Sequence, residues 1–142
     1  MALEVSVPLE VPSRYSFQMP SIELTAENFD STISENDIVI VDFWADWCGP
    51  CKMFAPTFEA ASEKDPTIVF GKVNTEVEQS LSAAAGIQSI PTLMVFREKV
   101  LLFSQAGALP PAALDDLISQ VKGLDMQAVH AEIAQQQAQA ND

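Results

Sequence analysis

Apolar residues along this chain are grouped in two ways, as short continuous runs and as positions that recur every three or four residues. The runs are typical of buried strands, and the recurring positions are typical of helices with one apolar face. Strands are predicted over residues 21–24, 38–44, 67–73, 92–96 and 100–103. Helices are predicted from residue 25, over 51–64 and 76–85, and from 110 to about 122. Because the two kinds of segment alternate, the pattern predicts an α/β domain.

The run at 38–44 is strongly apolar, so we expect a central strand that is covered on both faces. Asp42 interrupts this run. An ionised carboxylate in such a place is costly unless it is paired or neutralised. Two interpretations remain open. Either Asp42 faces the surface, or burial raises its pKa so that it exchanges a proton near neutral pH.

The only two cysteines, Cys48 and Cys51, stand three positions apart just after this run. On the first turn of a helix this spacing puts both thiols on one face, where a small tightening allows a disulfide. A helix N-terminus favours the thiolate, so we expect Cys48 to attack and the less exposed Cys51 to resolve. Half of a metal site or two incidental thiols are the alternatives. A structural zinc site needs four ligands, however, and the chain offers one histidine and no further cysteine.

Composition limits the cellular compartments and the classes of partner that suit this chain. Seven basic and twenty acidic residues give a net charge of −13, which disfavours nucleic acid and anionic membranes. We interpret this charge as a solvated surface, with steering towards basic partners as the alternative. The 142 residues suit one domain, and no apolar stretch approaches the roughly 18 residues of a membrane span. Since no secretory signal pattern and no structural disulfide framework are present, we expect a cytoplasmic protein.

Three segments carry a resemblance to a known family. Val41 to Lys52 reads VDFWADWCGPCK, Ile90 to Leu93 reads IPTL, and Gly107 to Leu109 reads GAL. In this order and at this spacing the chain resembles the thioredoxins over about Ser21 to Lys122. The resemblance implies an α/β thioredoxin fold, in which a central mixed β-sheet is flanked by helices. It places the thiols beyond the carboxyl end of the second strand.

The resemblance also implies roles for residues outside the cysteine pair. Asp42 would lie beneath Cys51 and help to remove its proton, and Lys72 would tune the charge of that carboxylate. An exposed lysine at the end of a strand is the alternative for Lys72. Pro91 would follow a cis peptide bond and leave the backbone of Ile90 free to pair with an extended substrate.

Four more residues are expected to form the substrate surface. Trp47 would shield the dithiol and offer an apolar wall, and Gly49 would let a substrate backbone approach closely. Pro50 suits the first turn of a helix, since its missing N–H would have no helical partner there. Gly107 would keep the groove open, although a simple turn glycine is the alternative.

The expected activity is the reduction of protein disulfides by dithiol exchange through Cys48 and Cys51. By resemblance, no cofactor binds the chain, and electrons come from NADPH through a thioredoxin reductase, which is a flavoprotein. That reductase and disulfide-containing client proteins are the expected partners of a monomer. A binding module in which the groove matters more than the thiols is one alternative. Disulfide formation outside the membrane is another, weakened by the missing signal pattern.

The chain departs from the family pattern in four places. Lys99 stands where many thioredoxins have a glycine in a hairpin turn, and Ser89 replaces a common glycine before Ile90. Residues 1–19 are an extension that we expect to be flexible, ahead of a thioredoxin domain at 20–122. Residues 123–142 are expected to form a helical extension and a tail, with Asp125 as the helix cap.

Overall fold

A computed structural model describes residues 20–140 of the chain. The strands are β1 (Ser21–Glu23), β2 (Ile38–Trp44), β3 (Val69–Asn74), β4 (Thr92–Arg97) and β5 (Val100–Ala106). The helices are α1 (Phe29–Glu35), α2 (Gly49–Lys64), α3 (Gln79–Ala84), α4 (Pro111–Lys122) and α5 (Met126–Ala140). The expected extension at 1–19 lies outside the described residues, as do the last two residues of the tail.

The sheet has the strand order β1-β3-β2-β4-β5. β3 pairs in parallel with both β1 and β2, whereas β4 is antiparallel to β2 and β5 is antiparallel to β4. The expected mixed sheet is therefore confirmed, and β2 is its middle strand. A middle strand with helices on both sides has no solvent-exposed face, which is why the run at 38–44 is so apolar.

Two apolar clusters cover the two faces of this sheet. On one face, Phe54 and Phe58 of α2 and Leu114 of α4 pack against Ile38 and Ile40. On the other face, side chains of α1 and α3 pack against the alternate β2 residues Val39, Val41 and Phe43. Because strand side chains alternate, Asp42 points to the same face as Ile38 and Ile40, which is the face that α2 covers.

Two helices begin later than the apolar pattern predicts. We expected a helix from Thr25, but α1 begins at Phe29, because the side chain of Asn28 accepts a hydrogen bond from the Thr25 N–H at 2.7 Å. Likewise α3 begins at Gln79, after the Asn74 side chain accepts the Glu76 N–H at 3.0 Å. Asparagine side chains that bond to nearby backbone hold these segments as turns instead of helices.

The turn between β4 and β5 consists of Glu98 and Lys99 alone. Both residues are left-handed, with φ of 52° and 69°. Positive φ at both central positions is what a two-residue type I′ hairpin turn requires, and glycine adopts it without a steric penalty. Lys99 therefore takes the backbone conformation that the missing glycine would take.

The C-terminal helices are fixed to the sheet by polar contacts. Arg97 Nη1 donates to the carbonyl oxygens of Val121, Lys122 and Leu124, at 2.8, 3.3 and 3.2 Å. These contacts satisfy carbonyls that the end of α4 leaves without helical partners. At the start of α5, Asp125 Oδ1 accepts the Ala128 N–H at 3.3 Å, as its expected capping role requires. Among the described helices, none combines the length and apolarity needed to cross a bilayer.

The packing of α2 on the sheet gives a first prediction. The Phe58 ring is fully buried and lies 5.3 Å, centroid to centroid, from the Phe70 ring in an edge-to-face arrangement. Replacing a buried phenylalanine by alanine leaves a cavity and costs about 3–5 kcal/mol. We expect Phe58→Ala to lose that much unfolding free energy in a urea titration. Glu63→Ala, at an exposed position of the same helix, is the control and should change stability by less than about 0.5 kcal/mol.

Candidate active site

The cysteine pair lies where β2 ends and α2 begins. Cys48 and Cys51 form a disulfide with their Cα atoms 5.2 Å apart. Cys48 has an extended backbone and occupies the N-cap position, where its Sγ accepts the Cys51 N–H at 3.2 Å. Pro50 stands in the first turn of α2, as expected. The sulfur of Cys48 thus accepts from a backbone N–H that has no partner within the helix, at the positive end of the helix, which favours a thiolate once the disulfide is opened.

The two sulfurs differ little in exposure. The relative exposure is 4% for Cys48 and 2% for Cys51, so both residues are buried in the disulfide form. Exposure alone therefore does not distinguish an attacking from a resolving thiol. The N-cap position of Cys48 does distinguish them, because Cys51 lies one position deeper than Pro50 on the inward face of α2. A Cβ atom on Gly49 would meet nothing within 4 Å, so this side of the turn is open.

The segment before β4 contacts the dithiol from the other side. The Ile90–Pro91 peptide bond is cis, and the carbonyl oxygen of Ile90 lies 3.7 Å from Cys48 Sγ. Gly107 donates its N–H to the carbonyl of Pro91 at 2.8 Å with φ of 109°. A Cβ at Gly107 would meet no atom within 4 Å, so its backbone conformation, and not the space around it, favours glycine.

Trp47 lies on the surface next to the cysteine pair. It is 69% exposed while Cys48 and Cys51 are buried, so its role as a shield stays a prediction. It forms one wall of an open groove near the disulfide. The other walls come from α3 and from the segment that precedes Pro91; they include Gln79, Ile87, Gln88, Ser89 and Ile90. An exposed indole next to a groove suits the expected apolar wall for a partner chain.

Asp42 is the buried acid of the site. Its residue is 1% exposed, and within residues 20–140 neither carboxyl oxygen has a hydrogen-bond partner. Burial raises the pKa of Asp42 from 3.8 to about 7, while Lys72 lowers this pKa and Glu59 raises it. The surface-facing interpretation of Asp42 is therefore wrong. A carboxyl with this pKa is divided between its acid and base forms at neutral pH.

Lys72 is a neighbour of Asp42 in the sheet, since the two residues are partners across β2 and β3. Its ammonium group lies 3.9 Å from Glu59 Oε2 and 5.1 Å from the centre of the Trp44 ring. Glu59 in turn accepts a hydrogen bond from Ser21 Oγ, with oxygen distances of 2.6 and 2.9 Å. No sequence pattern singles out Glu59 or Ser21, because their contact depends on how α2 packs over β1 and β3.

Among residues 20–140, no three His, Cys, Asp or Glu side chains are grouped so that they could hold a metal ion. His130, the one histidine, lies on α5, where its Nε2 is 2.8 Å from Glu98 Oε1.

Asp42 should make stability depend on pH. Because its folded pKa of about 7 exceeds the unfolded value of 3.8, the unfolded chain loses this proton first as pH rises. Stability therefore falls between about pH 4 and 7, by about 4 kcal/mol in total. We expect Asp42→Asn to match the wild type at pH 4 and to be more stable by that amount at pH 8, in urea titrations of the oxidised protein. Asp46→Asn, at an exposed position, should show no such trend; a gain from Asp42→Asn that is equal at both pH values would contradict the assignment.

Comparison with known proteins agrees with the geometry. The family model described as Thioredoxin matches residues 20–120. A curated protein of Streptomyces coelicolor named "Putative thioredoxin 2" is 57% identical over 120 residues, covering 84% of this chain and 90% of its own length. A solved thioredoxin of Plasmodium falciparum is 38% identical with a TM-score of 0.65, covering 70% of this chain and 97% of that one.

A mutant thioredoxin from Halobacterium salinarum is also similar in structure, with a TM-score of 0.69 at 31% identity. It matches 75% of this chain and 95% of its own. The similarities confirm the expected thioredoxin fold and the expected activity, a thiol–disulfide oxidoreductase that reduces protein disulfides. With the matching Cys-x-x-Cys pair in place at Cys48 and Cys51, the chain belongs to the thioredoxin family.

Proposed function

We propose that Cys48, Cys51 and Asp42 divide the reduction of a client disulfide into two exchanges. The observation that carries this proposal is the position of the pair, with Cys48 as the N-cap of α2 and Cys51 on its buried face. In the reduced protein the helix N-terminus stabilises the Cys48 thiolate more than the Cys51 thiolate. One sulfur is then ready to attack, and the other keeps its proton until a client is captured.

In the first exchange, the Cys48 thiolate attacks one sulfur of the client disulfide. The client S–S bond breaks, a mixed disulfide forms, and the first client sulfur leaves as a thiolate. In the second exchange, Cys51 gives its proton to the Asp42 carboxylate and attacks Cys48 Sγ. The mixed disulfide breaks, the second client thiolate leaves, and the Cys48–Cys51 disulfide remains. The client gains two electrons, which this protein has lost.

Asp42 suits the role of proton acceptor for two reasons. It lies on the α2-covered face of β2, near the end of the strand that leads to the thiols. Its pKa of about 7 leaves a useful fraction as carboxylate at neutral pH, whereas a fully protonated acid could take no proton. Lys72, which lowers this pKa, is proposed to keep enough Asp42 ionised to accept the Cys51 proton.

The groove is proposed to hold the client as an extended strand. Ile90 contacts Cys48 Sγ through its carbonyl, and its backbone would pair with the client main chain, as in other additions of a strand to a sheet edge. Trp47 would supply an apolar wall, and the open space at Gly49 and Pro50 would admit the client backbone. Pro91 and Gly107, tied together by their backbone hydrogen bond, would hold this edge in place.

We further propose the setting in which this cycle runs. The oxidised protein would be recycled by a thioredoxin reductase, a flavoprotein that draws electrons from NADPH, and the chain itself would bind no cofactor. It would act as a monomeric electron carrier in the cytoplasm, with the catalytic unit at 20–122 and the residues from 123 onward as an appended helix and tail. Contact with nucleic acid is not expected at a net charge of −13.

Insulin reduction tests the roles of the two cysteines. With NADPH and a bacterial thioredoxin reductase, we expect the wild type to precipitate insulin and to consume NADPH. Cys48→Ser should lose turnover because it cannot attack. Cys51→Ser should also lose turnover, but it should accumulate a covalent complex with insulin that dithiothreitol dissolves. Retained turnover in either variant, or a complex trapped by Cys48→Ser instead, would contradict the assignment.

The direction of electron flow has a separate test. The dipeptide Gly49-Pro50 between the cysteines is that of reducing thioredoxins, whose general potential is about −270 mV, against about −120 mV for the oxidant DsbA. We expect equilibration of this protein with glutathione buffers to give a value near the former. A potential well above about −200 mV would mean that the protein oxidises its clients.

A further inference from the structure

Asp42, the proposed proton acceptor, and three charged side chains form one polar assembly across three strands and a helix. Lys72 on β3 lies between Asp42 on β2 and Glu23 on β1 in the sheet register. Glu59 reaches this row from α2, and on the far side of Asp42 the β4 partner is the uncharged Leu93. The charged groups that face Asp42 are thus Lys72 and Glu59, with the exposed Glu23 beyond Lys72.

Within this assembly Lys72 pairs with Glu59 and not with Asp42. The Lys72 ammonium is 3.9 Å from Glu59 Oε2, whereas in the described part of the chain it makes no ion pair within 4.0 Å of the Asp42 carboxylate. The ring of Trp44 supports the same position of the ammonium, since a cation over an indole face is attracted to it. Register alone would allow Lys72 to turn towards Asp42, its direct neighbour in the sheet.

Glu59 is itself held in place. Ser21 Oγ lies 2.6 Å from one of its carboxylate oxygens and 2.9 Å from the other, and it donates to this group from β1. The Glu59 side chain is 37% exposed and that of Lys72 is 22% exposed, so this pair lies at the boundary with solvent. The Glu59 carboxylate thus holds a cation at the edge of the dry interior.

We propose that Glu59, anchored by Ser21, is a positioning residue that holds the Lys72 ammonium off Asp42 and so sets how readily Asp42 accepts the Cys51 proton. This inference rests on the proposed function, in which Asp42 is that acceptor. A lysine in direct contact would stabilise the carboxylate and make it a weaker base. A lysine removed altogether would leave the carboxyl protonated and unable to accept. Glu59 keeps the cation between these two extremes.

Titration of Asp42 in the oxidised protein tests the inference without any turnover. The measurement follows the ¹³C chemical shift of the Asp42 carboxyl by NMR across the pH range. Glu59→Gln releases Lys72 towards Asp42 and should lower the titration midpoint by about 1 pH unit. Lys72→Met should raise the midpoint. Glu63→Gln makes the same charge change at an exposed position of the same helix, and it should leave the midpoint within about 0.2 pH units.

The double variant separates positioning from simple charge repulsion. If Glu59 acts through Lys72, then in the Lys72→Met background Glu59→Gln should shift the midpoint by less than half of its effect alone. An equal shift in both backgrounds would mean that Glu59 repels Asp42 directly, and the inference would be overturned. No shift from Glu59→Gln in a protein that unfolds at the wild-type urea midpoint would also overturn it.

A kinetic readout connects the assembly to the resolving step. Reduced protein is mixed rapidly with a symmetric aromatic disulfide, whose S–S bond the Cys48 thiolate breaks with loss of one aromatic thiolate. Release of the second aromatic thiolate, when Cys51 attacks Cys48 Sγ, is followed against pH. Glu59→Gln should move the midpoint of this pH profile downward together with the Asp42 titration, and Glu63→Gln should not. If Glu59→Gln kept the wild-type midpoint of this pH profile, the inference would be overturned and the proposed function would be unaffected. Absence of insulin reduction by the wild type would instead defeat the proposed function, while the NMR titration would still judge the position of Lys72.

Discussion

The burial of β2 on both faces is the constraint from which the rest of the structure follows. From Ile38 to Phe43 each residue is at most 6% exposed, because helices cover the sheet on both sides. Such a strand can reach solvent only at its end, and the chain leaves it there to begin α2. The dithiol is therefore placed at the rim of the sheet, on the positive end of a helix whose other residues are fixed by the core.

The same burial explains why a carboxyl at position 42 is both costly and useful. An acid that faced water would be fully ionised at neutral pH and would be a poor proton acceptor, whereas burial makes its two forms similar in free energy. Because the ionised carboxylate is costly to bury, the folded protein loses stability as the pH rises and Asp42 ionises. Lys72 moderates this conflict because its charge lowers the pKa of Asp42, whereas Glu59 raises that pKa. Both side chains lie at the solvent boundary, where charges are cheaper to keep than in the interior.

Local chemistry and pattern were enough to predict the main features of the fold and the reacting pair. The run at 38–44 indicated the middle strand, and the spacing of Cys48 and Cys51 indicated a disulfide at a helix start. Contacts between distant segments were not accessible in this way. Ser21 and Glu59 are 38 positions apart, and nothing in either neighbourhood signals their hydrogen bond. The 69% exposure of Trp47 was not predictable either, because it depends on the loop that precedes α2, whose conformation no periodicity encodes.

The hairpin turn at Glu98 and Lys99 gives the C-terminal helix a structural role at the end of β4 that lies away from the dithiol. Left-handed backbone costs about 1–2 kcal/mol for a residue with a side chain, and here two such residues adopt it in succession. Glu98 has two supports, since its N–H donates to the Asp37 carbonyl at 2.8 Å and its carboxylate meets His130 of α5. The C-terminal helix thus supports a bend that glycine would adopt unaided. Loss of the contact between His130 and Glu98 would loosen the tip of the hairpin, while disulfide exchange at the other end of β4 would continue unchanged.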